Sequence, residues 1–322
     1  MEKYYLPEGN LLSSPQNREF ISTLDGLERA MACGAIIEGI ARLCDSSFDL
    51  HVDFPAMPNV RGIIPRAECA YVKNGDEIKD IAVLTRVGKA VCFKVIGIER
   101  RPDGIVAHLS RRLAQMECYE RYLSALCAGD VINARVTHLE PFGAFVDIGC
   151  GMVSLLSVDA ISVSRISHPR DRLYCGQAIW AVVRSIDRSN DRIFVSMREL
   201  LGTWEENAAN FESGQTVAGI IRSVEDYGVF VELSPNLAGL AEVREEDRDI
   251  YRSMIGRGCA VFIKSIIPER MKIKLVLLDS YRTEPTFPTP LTYYIHGDKT
   301  EHIDSWVYSP AGARKRVETV FE

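Results

Sequence analysis

The sequence predicts a mainly β protein in which small barrels repeat along the chain and short helices join them. The run at residues 142–147, Phe-Gly-Ala-Phe-Val-Asp, returns 85 positions later at residues 227–232 as Tyr-Gly-Val-Phe-Val-Glu. The two runs agree at glycine, aromatic and acidic positions alike, which indicates an internal repeat. Before the first run, residues 113–126 contain no Gly or Pro, and their apolar residues recur at helical spacing.

Gly143 stands between two aromatic residues of a predicted strand, Phe142 and Phe145. A glycine inside a strand costs backbone entropy and packs nothing, so it indicates a sharp bend or a close approach by another group. Aromatic rings beside such a bend are typical of surfaces that stack nucleic-acid bases. The alternative is that both rings belong to the core of a barrel.

Further motifs follow the aromatic run in order: Leu155-Leu156, then 168–171 (His-Pro-Arg-Asp), Gly176-Gln177 and 186–196. Together they resemble the S1 domain, the five-stranded OB-fold RNA-binding module of bacterial ribosomal protein S1 and polynucleotide phosphorylase. The resemblance implies S1-like OB domains at residues 129–198 and 214–279.

The resemblance also implies which residues would contact RNA. In S1 domains these are both rings of Phe-Gly-x-Phe, a histidine after a Gly-Leu-Val turn, and an aspartate and a basic residue in the hairpin before the last strand. Ser157 stands where the family has the histidine, and Glu242 stands there in the last copy. The candidates are therefore Phe142, Phe145, Ser157, Asp187 and Arg192, joined by Tyr227, Phe230, Lys272 and Arg222 in the last copy.

Two of these assignments have a structural alternative. His168 lies on a long connection, where it is either a loop residue or an RNA contact. Arg192 would meet a phosphate, while Asp187 would fix its orientation or accept from a base edge. The alternative is that the two form a surface ion pair of little energetic weight. The basic residues Arg165, Arg170, Arg172 and Arg184 are expected to add positive charge to the central copy.

Residues 32–112 are predicted to be a divergent third copy of the same barrel. Alternation predicts a strand at 48–54, and a turn is expected at 61–65. The aromatic run is missing here, and Phe48 and His51 are its nearest equivalents. Two roles stay open for this copy: an RNA site, or a docking or spacer module.

The remaining segments connect or flank the barrels. We expect an N-terminal arm and helix at 1–31, with the helix at 17–31, and linker helices at 113–128 and 199–213. The C-terminal extension at 280–322 contains Pro285, Pro288 and Pro290, which exclude a regular helix there. Within it, strands are predicted at 291–295 and 306–308, with a turn at 296–298.

The aromatic and basic residues of the extension allow two roles. They are Tyr293, Tyr294, Trp306, Arg314, Lys315 and Arg316. Because the rings alternate with apolar residues, packing on the last barrel is favoured over an extra RNA contact.

Composition narrows the function further. No apolar run approaches the ~20 residues of a membrane span, so no membrane association is expected. The nine cysteines are scattered without a CxxC pair, which favours reduced thiols in a cytoplasmic protein and no metal site. No catalytic or cofactor-binding motif is present, so neither an enzyme nor a cofactor is expected.

The charge balance, 38 basic against 44 acidic residues, disfavours strong non-specific binding to duplexes. Single strands bind OB folds through stacking as well as charge. The sequence therefore predicts a ribosomal-protein-S1-like protein that binds single-stranded RNA, mRNA above all, mainly through its central barrel, with the ribosome as a further candidate partner. The alternative is a protein-interaction scaffold whose barrels dock on a larger assembly.

Overall fold

The computed structural model describes residues 5–72, 77–280 and 291–322. Over these residues the protein is mainly β, with few and short helices, and its strands form closed five-stranded sheets. This confirms the predicted class: a mainly β protein made of five-stranded barrels. No helix in the described part of the chain is both long enough and apolar enough to span a membrane.

The strands are numbered in chain order, and each barrel uses five consecutive ones. The first barrel contains β1 (Ile37–Cys44), β2 (Leu50–Asp53), β3 (Val60–Ile64), β4 (Ala90–Arg101) and β5 (Gly104–Ser110), in the order β1-β2-β3-β5-β4. The second contains β6 (Val131–Glu140), β7 (Gly143–Asp147), β8 (Val153–Ser157), β9 (Ala178–Asp187) and β10 (Arg192–Ser196), in the order β10-β8-β7-β6-β9.

The third barrel contains β11 (Thr216–Glu225), β12 (Gly228–Ser234), β13 (Leu237–Ala241), β14 (Gly258–Ile267) and β15 (Lys272–Ser280), in the order β11-β12-β13-β15-β14. In each barrel the third and fifth strands pair in parallel and close the sheet, as Leu240 against Lys274 illustrates. A short antiparallel pair, β16 (Ser305–Val307) and β17 (Glu318–Val320), lies in the C-terminal extension.

The helices are shorter than the sequence predicts. Each α-helix in the described residues has four turns or fewer. They are α1 (Pro15–Ser22), α2 (Leu24–Cys33), α3 (Asp80–Leu84), α4 (Arg111–Arg121), α5 (Trp204–Ala208) and α6 (Arg248–Arg252). The single helix expected at 17–31 is two helices, because Thr23 is extended and its hydroxyl caps α2 by accepting from the Gly26 N–H at 3.0 Å. The linker expected at 199–213 is helical only in part, because Gly202, at φ 86°, separates a 3-10 turn from α5.

Four other local predictions need correction. The turn expected at 61–65 is strand β3, and the strand expected at 48–54 starts only at Leu50. The linker helix expected at 113–128 ends at Arg121 and is followed by a 3-10 turn. The strand expected at 291–295 is absent, whereas that at 306–308 corresponds to β16. Pro285, Pro288 and Pro290 lie outside the described residues.

The chain divides into two compact units, and each has its own buried polar network. The first comprises residues 1–126, 133–135 and 147–153. Within it the N-terminal arm is anchored by Glu8, whose carboxylate accepts from Arg111 at 2.7 Å and from the Cys92 N–H at 3.0 Å. The arm is therefore an integral part of this unit, because removing it would leave a buried guanidinium unpaired.

Glu38 holds the next residues of the arm. It accepts the backbone N–H groups of Gly9, Leu11 and Leu12, each at 3.0 Å, and is itself buried. Burial, assisted by the nearby Glu8, raises the pKa of Glu38 to about 7 although the N–H donors lower it. The free energy of unfolding of this unit is thus linked to pH through Glu38.

We expect Glu38→Gln to remove part of that pH dependence. Between the ordinary value of 4.5 and about 7 the unfolded chain releases the Glu38 proton while the folded chain retains it, so stability should fall as pH rises. Urea denaturation between pH 4.5 and 7.5 should give a flatter profile for the variant. Identical slopes for both proteins would show that Glu38 is already ionised when folded.

The second unit comprises residues 127–132, 136–146 and 154–322. Its buried network centres on Glu232 of β12, whose carboxylate pairs with Arg222 of β11 at 2.7 Å and with Arg172 from the connection before β9. Asp171 lies 3.4 Å from Arg222 and completes the group. One carboxylate therefore joins the central and last barrels by compensating two buried cations.

We expect Glu232→Gln to destabilise this unit by ~3–5 kcal/mol, because it leaves Arg172 and Arg222 buried without their partner. Glu246→Gln is the control, since the Glu246–Arg244 pair is exposed and worth ~0–1 kcal/mol. Urea denaturation would measure both changes. Equal midpoints for the two variants would mean that solvent or Asp171 compensates the cations.

The C-terminal extension packs within the second unit. Trp306 and Tyr308 are buried in the core of the third barrel beside Trp204, and the Tyr308 hydroxyl donates to the Asn236 carbonyl at 2.6 Å. Tyr293 accepts from the Trp180 N–H at 3.2 Å. The packing interpretation therefore accounts for these aromatic residues, whereas the basic residues at 314–316 are exposed.

Candidate nucleic-acid interface

The hairpin of β6 and β7 presents two phenylalanine rings. Phe142 lies in the turn with 55% of its surface exposed, and Phe145 is half-buried on β7. Their centroids are 6.0 Å apart and their planes meet at 89°, an edge-to-face pair that leaves flat ring surface towards solvent. The pair is therefore on the surface of the barrel and outside its core. We call Phe142 and Phe145 the central platform.

Gly143 makes this arrangement sterically possible. A Cβ on residue 143 would lie 2.5 Å from the Leu156 carbonyl oxygen and 3.0 Å from the Ser157 Cα. The carbonyl of Phe142 accepts from the Val158 N–H at 2.9 Å, so β8 lies directly beside the turn. Of the two explanations for the glycine, the structure supports close approach of another backbone segment.

His138 is a third ring at this surface, and the sequence analysis missed it. It lies on β6 with 62% of its side chain exposed, and its ring stacks at 24° against Phe145 with centroids 6.3 Å apart. Its counterpart 85 positions later, Ser223, pairs directly with Phe230. The contact of His138 with Phe145 arises from strand pairing, and no local pattern in the sequence indicated it.

Ser157 lies at the edge of the platform, beside Gly143. It is half-buried, and a hydrogen bond with its side chain holds the pKa of Asp159 below the ordinary value. Asp159 is also 3.5 Å from the exposed Arg184. Ser157 therefore already has an acidic partner, Asp159. The ion pair of Asp159 with Arg184 places Arg184 near Ser157 as well.

The last hairpin of the central barrel places Asp187 and Arg192 opposite each other as register partners of β9 and β10. The Asp187 carboxylate accepts hydrogen bonds from its own turn, from Asn190 at 2.7 Å and from Ser189, and these bonds lower its pKa to about 2. Arg192 is exposed and has no ion-pair partner among the described residues. Asp187 thus shapes the turn, and Arg192 presents its charge to solvent.

His168 has a local structural role. Its Nδ1 accepts from the Arg170 N–H at 3.1 Å and caps the short 3-10 helix Pro169–Asp171. Arg172, expected to add surface charge, is instead buried against Glu232. The exposed cations of this barrel are therefore Arg165, Arg170, Arg184, Arg188 and Arg192.

The third barrel repeats the aromatic pair in an acidic setting. Tyr227 is 63% exposed and meets Phe230 edge-to-face at 6.0 Å, and a Cβ on Gly228 would lie 2.5 Å from the Ala241 carbonyl. Lys272 and Glu242 are both exposed. Arg222, expected to be a candidate here, is buried against Glu232 and unavailable to a ligand.

Comparison with known proteins identifies the central segment. Residues 126–198 match the model of the S1 RNA binding domain. Residues 126–198 are an S1 domain. The match covers all five strands of the second barrel and both rings of the central platform.

The chain is also similar to proteins named as small ribosomal subunit proteins. It is 27% identical over 270 residues to the small ribosomal subunit protein bS1 homolog of Bacillus subtilis (strain 168), covering 82% of this chain and 65% of that protein. It is 30% identical over 190 residues to the small ribosomal subunit protein bS1 of Staphylococcus aureus (strain COL), covering 58% and 46%. The chain thus spans between about half and just under two thirds of these curated relatives.

A multidomain protein with nucleic acid binding domains from Streptococcus pneumoniae TIGR4 is one of the solved structures that match. It shares 14% sequence identity at a TM-score of 0.24, over 76% of this chain and 73% of that one.

The first barrel differs from the S1 domain at the corresponding surface. Phe48 adopts a positive φ of 61° in the turn before β2, and the Arg66 guanidinium lies over its ring at 5.0 Å from the centroid. His51 bonds Asp45 at 2.8 Å. The rings that the sequence suggested as equivalents therefore already have partners of their own.

No cluster of three or more histidine, cysteine or acidic side chains suited to a metal ion occurs in the described ranges. All nine cysteines lie in the described ranges, and none of them forms a disulfide.

We expect Gly143→Ala to destabilise the S1 domain by ~1–3 kcal/mol, because the new methyl group overlaps the Leu156 carbonyl and forces β7 and β8 apart. Gly97→Ala is the control, since its Cβ would meet nothing closer than 3.8 Å. Chemical denaturation would measure both. A Gly143 variant as stable as the Gly97 variant would show that the strands separate without cost.

Proposed function

We propose that this protein binds single-stranded RNA, mRNA above all, and that its central platform stacks successive bases. The observation that carries the proposal is the exposed edge-to-face pair of Phe142 and Phe145. Each base stacked on an aromatic ring contributes ~1–3 kcal/mol to the binding free energy. Any base can stack in this way, because every base is flat and aromatic. The platform therefore favours unpaired strands over duplexes, whose bases are already stacked.

Local charge supports the same proposal despite the acidic chain. Arg184, Arg188 and Arg192 are exposed on the β9–β10 side of the S1 domain, where they can meet phosphates. The Ser157 hydroxyl can accept or donate at a base edge, whereas the Asp187 carboxylate can only accept. His168, whose Nδ1 caps the short 3-10 helix, is proposed as a further contact. In the third barrel Tyr227, Phe230 and Lys272 form a second, weaker site, because Glu242 repels phosphate nearby.

The three barrels are proposed to be tandem S1-like OB domains at 32–112, 129–198 and 214–279. The relatives are named as ribosomal subunit proteins, so we propose a non-enzymatic role in translation or RNA metabolism in the cytoplasm, with the ribosome as a second partner.

A docking scaffold is the second candidate, and one observation favours it for the first barrel. Phe48 is covered by Arg66 and His51 is engaged by Asp45, so neither offers a free ring to a base. That barrel is better suited to contact protein, while the central barrel is better suited to RNA.

We expect the double variant Phe142→Ala/Phe145→Ala to bind single-stranded RNA at least about tenfold more weakly, because two stacking surfaces are lost. Fluorescence anisotropy with a labelled uridine-rich oligonucleotide at low salt would measure the change. Tyr174→Ala is the matched control, since Tyr174 is an equally exposed ring outside the platform.

Equal binding by wild type and double variant would refute stacking on this platform. If the wild type itself fails to bind RNA at low salt, the scaffold function replaces the RNA function.

A further inference from the structure

The ring of His138 extends the central platform along β6. It stacks almost parallel to Phe145, at 24°, whereas Phe142 stands perpendicular to Phe145 at 89°. Because stacked bases of a single strand lie parallel to one another, two nearly parallel rings suit neighbouring bases better than a perpendicular pair. The imidazole is largely exposed and so is available to a ligand.

The imidazole is held in place by Glu140. Its Nε2 is 2.7 Å from the Glu140 carboxylate, two positions along the same face of β6. An exposed side chain normally loses rotamer freedom when it binds, and a partner that fixes the ring beforehand reduces that cost. Glu140 is therefore a positioning residue for His138.

The third barrel provides an internal comparison. Ser223, the counterpart of His138 in the repeat, is paired with Phe230, just as the ring of His138 contacts that of Phe145. Among the residues that the structure describes, the third barrel thus has the edge-to-face pair, Tyr227 and Phe230, with no third ring recorded against it. The two barrels differ at this position by one stacking surface.

We propose that His138 is a third base-stacking residue, so that the central barrel accommodates one more unpaired nucleotide than the third barrel. The proposal rests on the RNA-binding function proposed above and deepens it. A stacking ring tolerates any base, so the extra contact lengthens the site without selecting a sequence.

The test measures how affinity for uridine oligonucleotides of two to six nucleotides depends on length. The full chain carrying Tyr227→Ala/Phe230→Ala is the background, so that the central barrel dominates binding. Titration by NMR at low, constant salt gives a dissociation constant for each length. In this background affinity should rise steeply until every ring is occupied and then level off.

His138→Ser, which copies the third barrel, should level off one nucleotide earlier and bind the longer oligonucleotides about tenfold more weakly. His138→Phe, which keeps a ring, should retain the original length, whereas His138→Gln, which keeps a polar group without a ring, should behave like His138→Ser. Identical length profiles for all four proteins would overturn the proposal. So would a loss in His138→Phe equal to that in His138→Ser.

Glu140 is tested with a double-mutant cycle. Glu140→Ala should weaken binding when His138 is present and have no effect in the His138→Ser protein. An equal loss in both proteins would show that Glu140 does not act through His138.

The failure of this inference is distinguishable from failure of the proposed function. If Phe142→Ala/Phe145→Ala abolishes binding while His138→Ser changes nothing, the platform binds RNA with two rings only. If neither substitution matters, base stacking by this barrel is refuted and the inference with it.

Discussion

The close approach of β8 to the turn between β6 and β7 is the constraint on which the central platform depends. No Cβ fits at residue 143, because the Leu156 carbonyl would lie 2.5 Å from it. Without a side chain at this position, two aromatic rings can flank the contact and face outward. The same geometry recurs at Gly228, where the Ala241 carbonyl takes the corresponding place. The repeated aromatic–glycine pattern therefore follows from a close backbone contact, which leaves two rings at the surface of each barrel.

Two buried carboxylates, one in each unit, pair with arginine residues from other segments of the chain. Glu8 compensates Arg111 within the first unit, and Glu232 compensates Arg172 and Arg222 within the second. Such groups add little net stability over apolar packing, but each is costly to leave without its partner. They therefore act as geometric constraints: the N-terminal arm and the 169–172 connection can each take only the position in which the charges are paired.

Local sequence patterns predict some residues of the candidate site correctly as to position, but they place certain arginine residues at the surface that are in fact buried. Phe142, Phe145, Tyr227 and Phe230 follow from the repeat, because the glycine and aromatic spacing is local. Arg172 and Arg222 were expected at the surface, yet both are buried against Glu232. Glu232 lies 60 positions after Arg172 and 10 positions after Arg222, on the next strand of the same hairpin. The Asp187 carboxylate also accepts hydrogen bonds within its own turn, from Ser189 and Asn190 two and three positions later.

The sequence by itself determined the class of fold, the repeat and the aromatic positions, because strand alternation and glycine spacing act over a few residues. Tertiary structure alone decided which rings and cations are available, because availability depends on what packs against them. Trp306 and Tyr308 enter the core of the third barrel, Arg66 covers Phe48, and His138 comes to lie against Phe145 across two strands. Each of these outcomes depends on contacts between segments that the local pattern cannot pair.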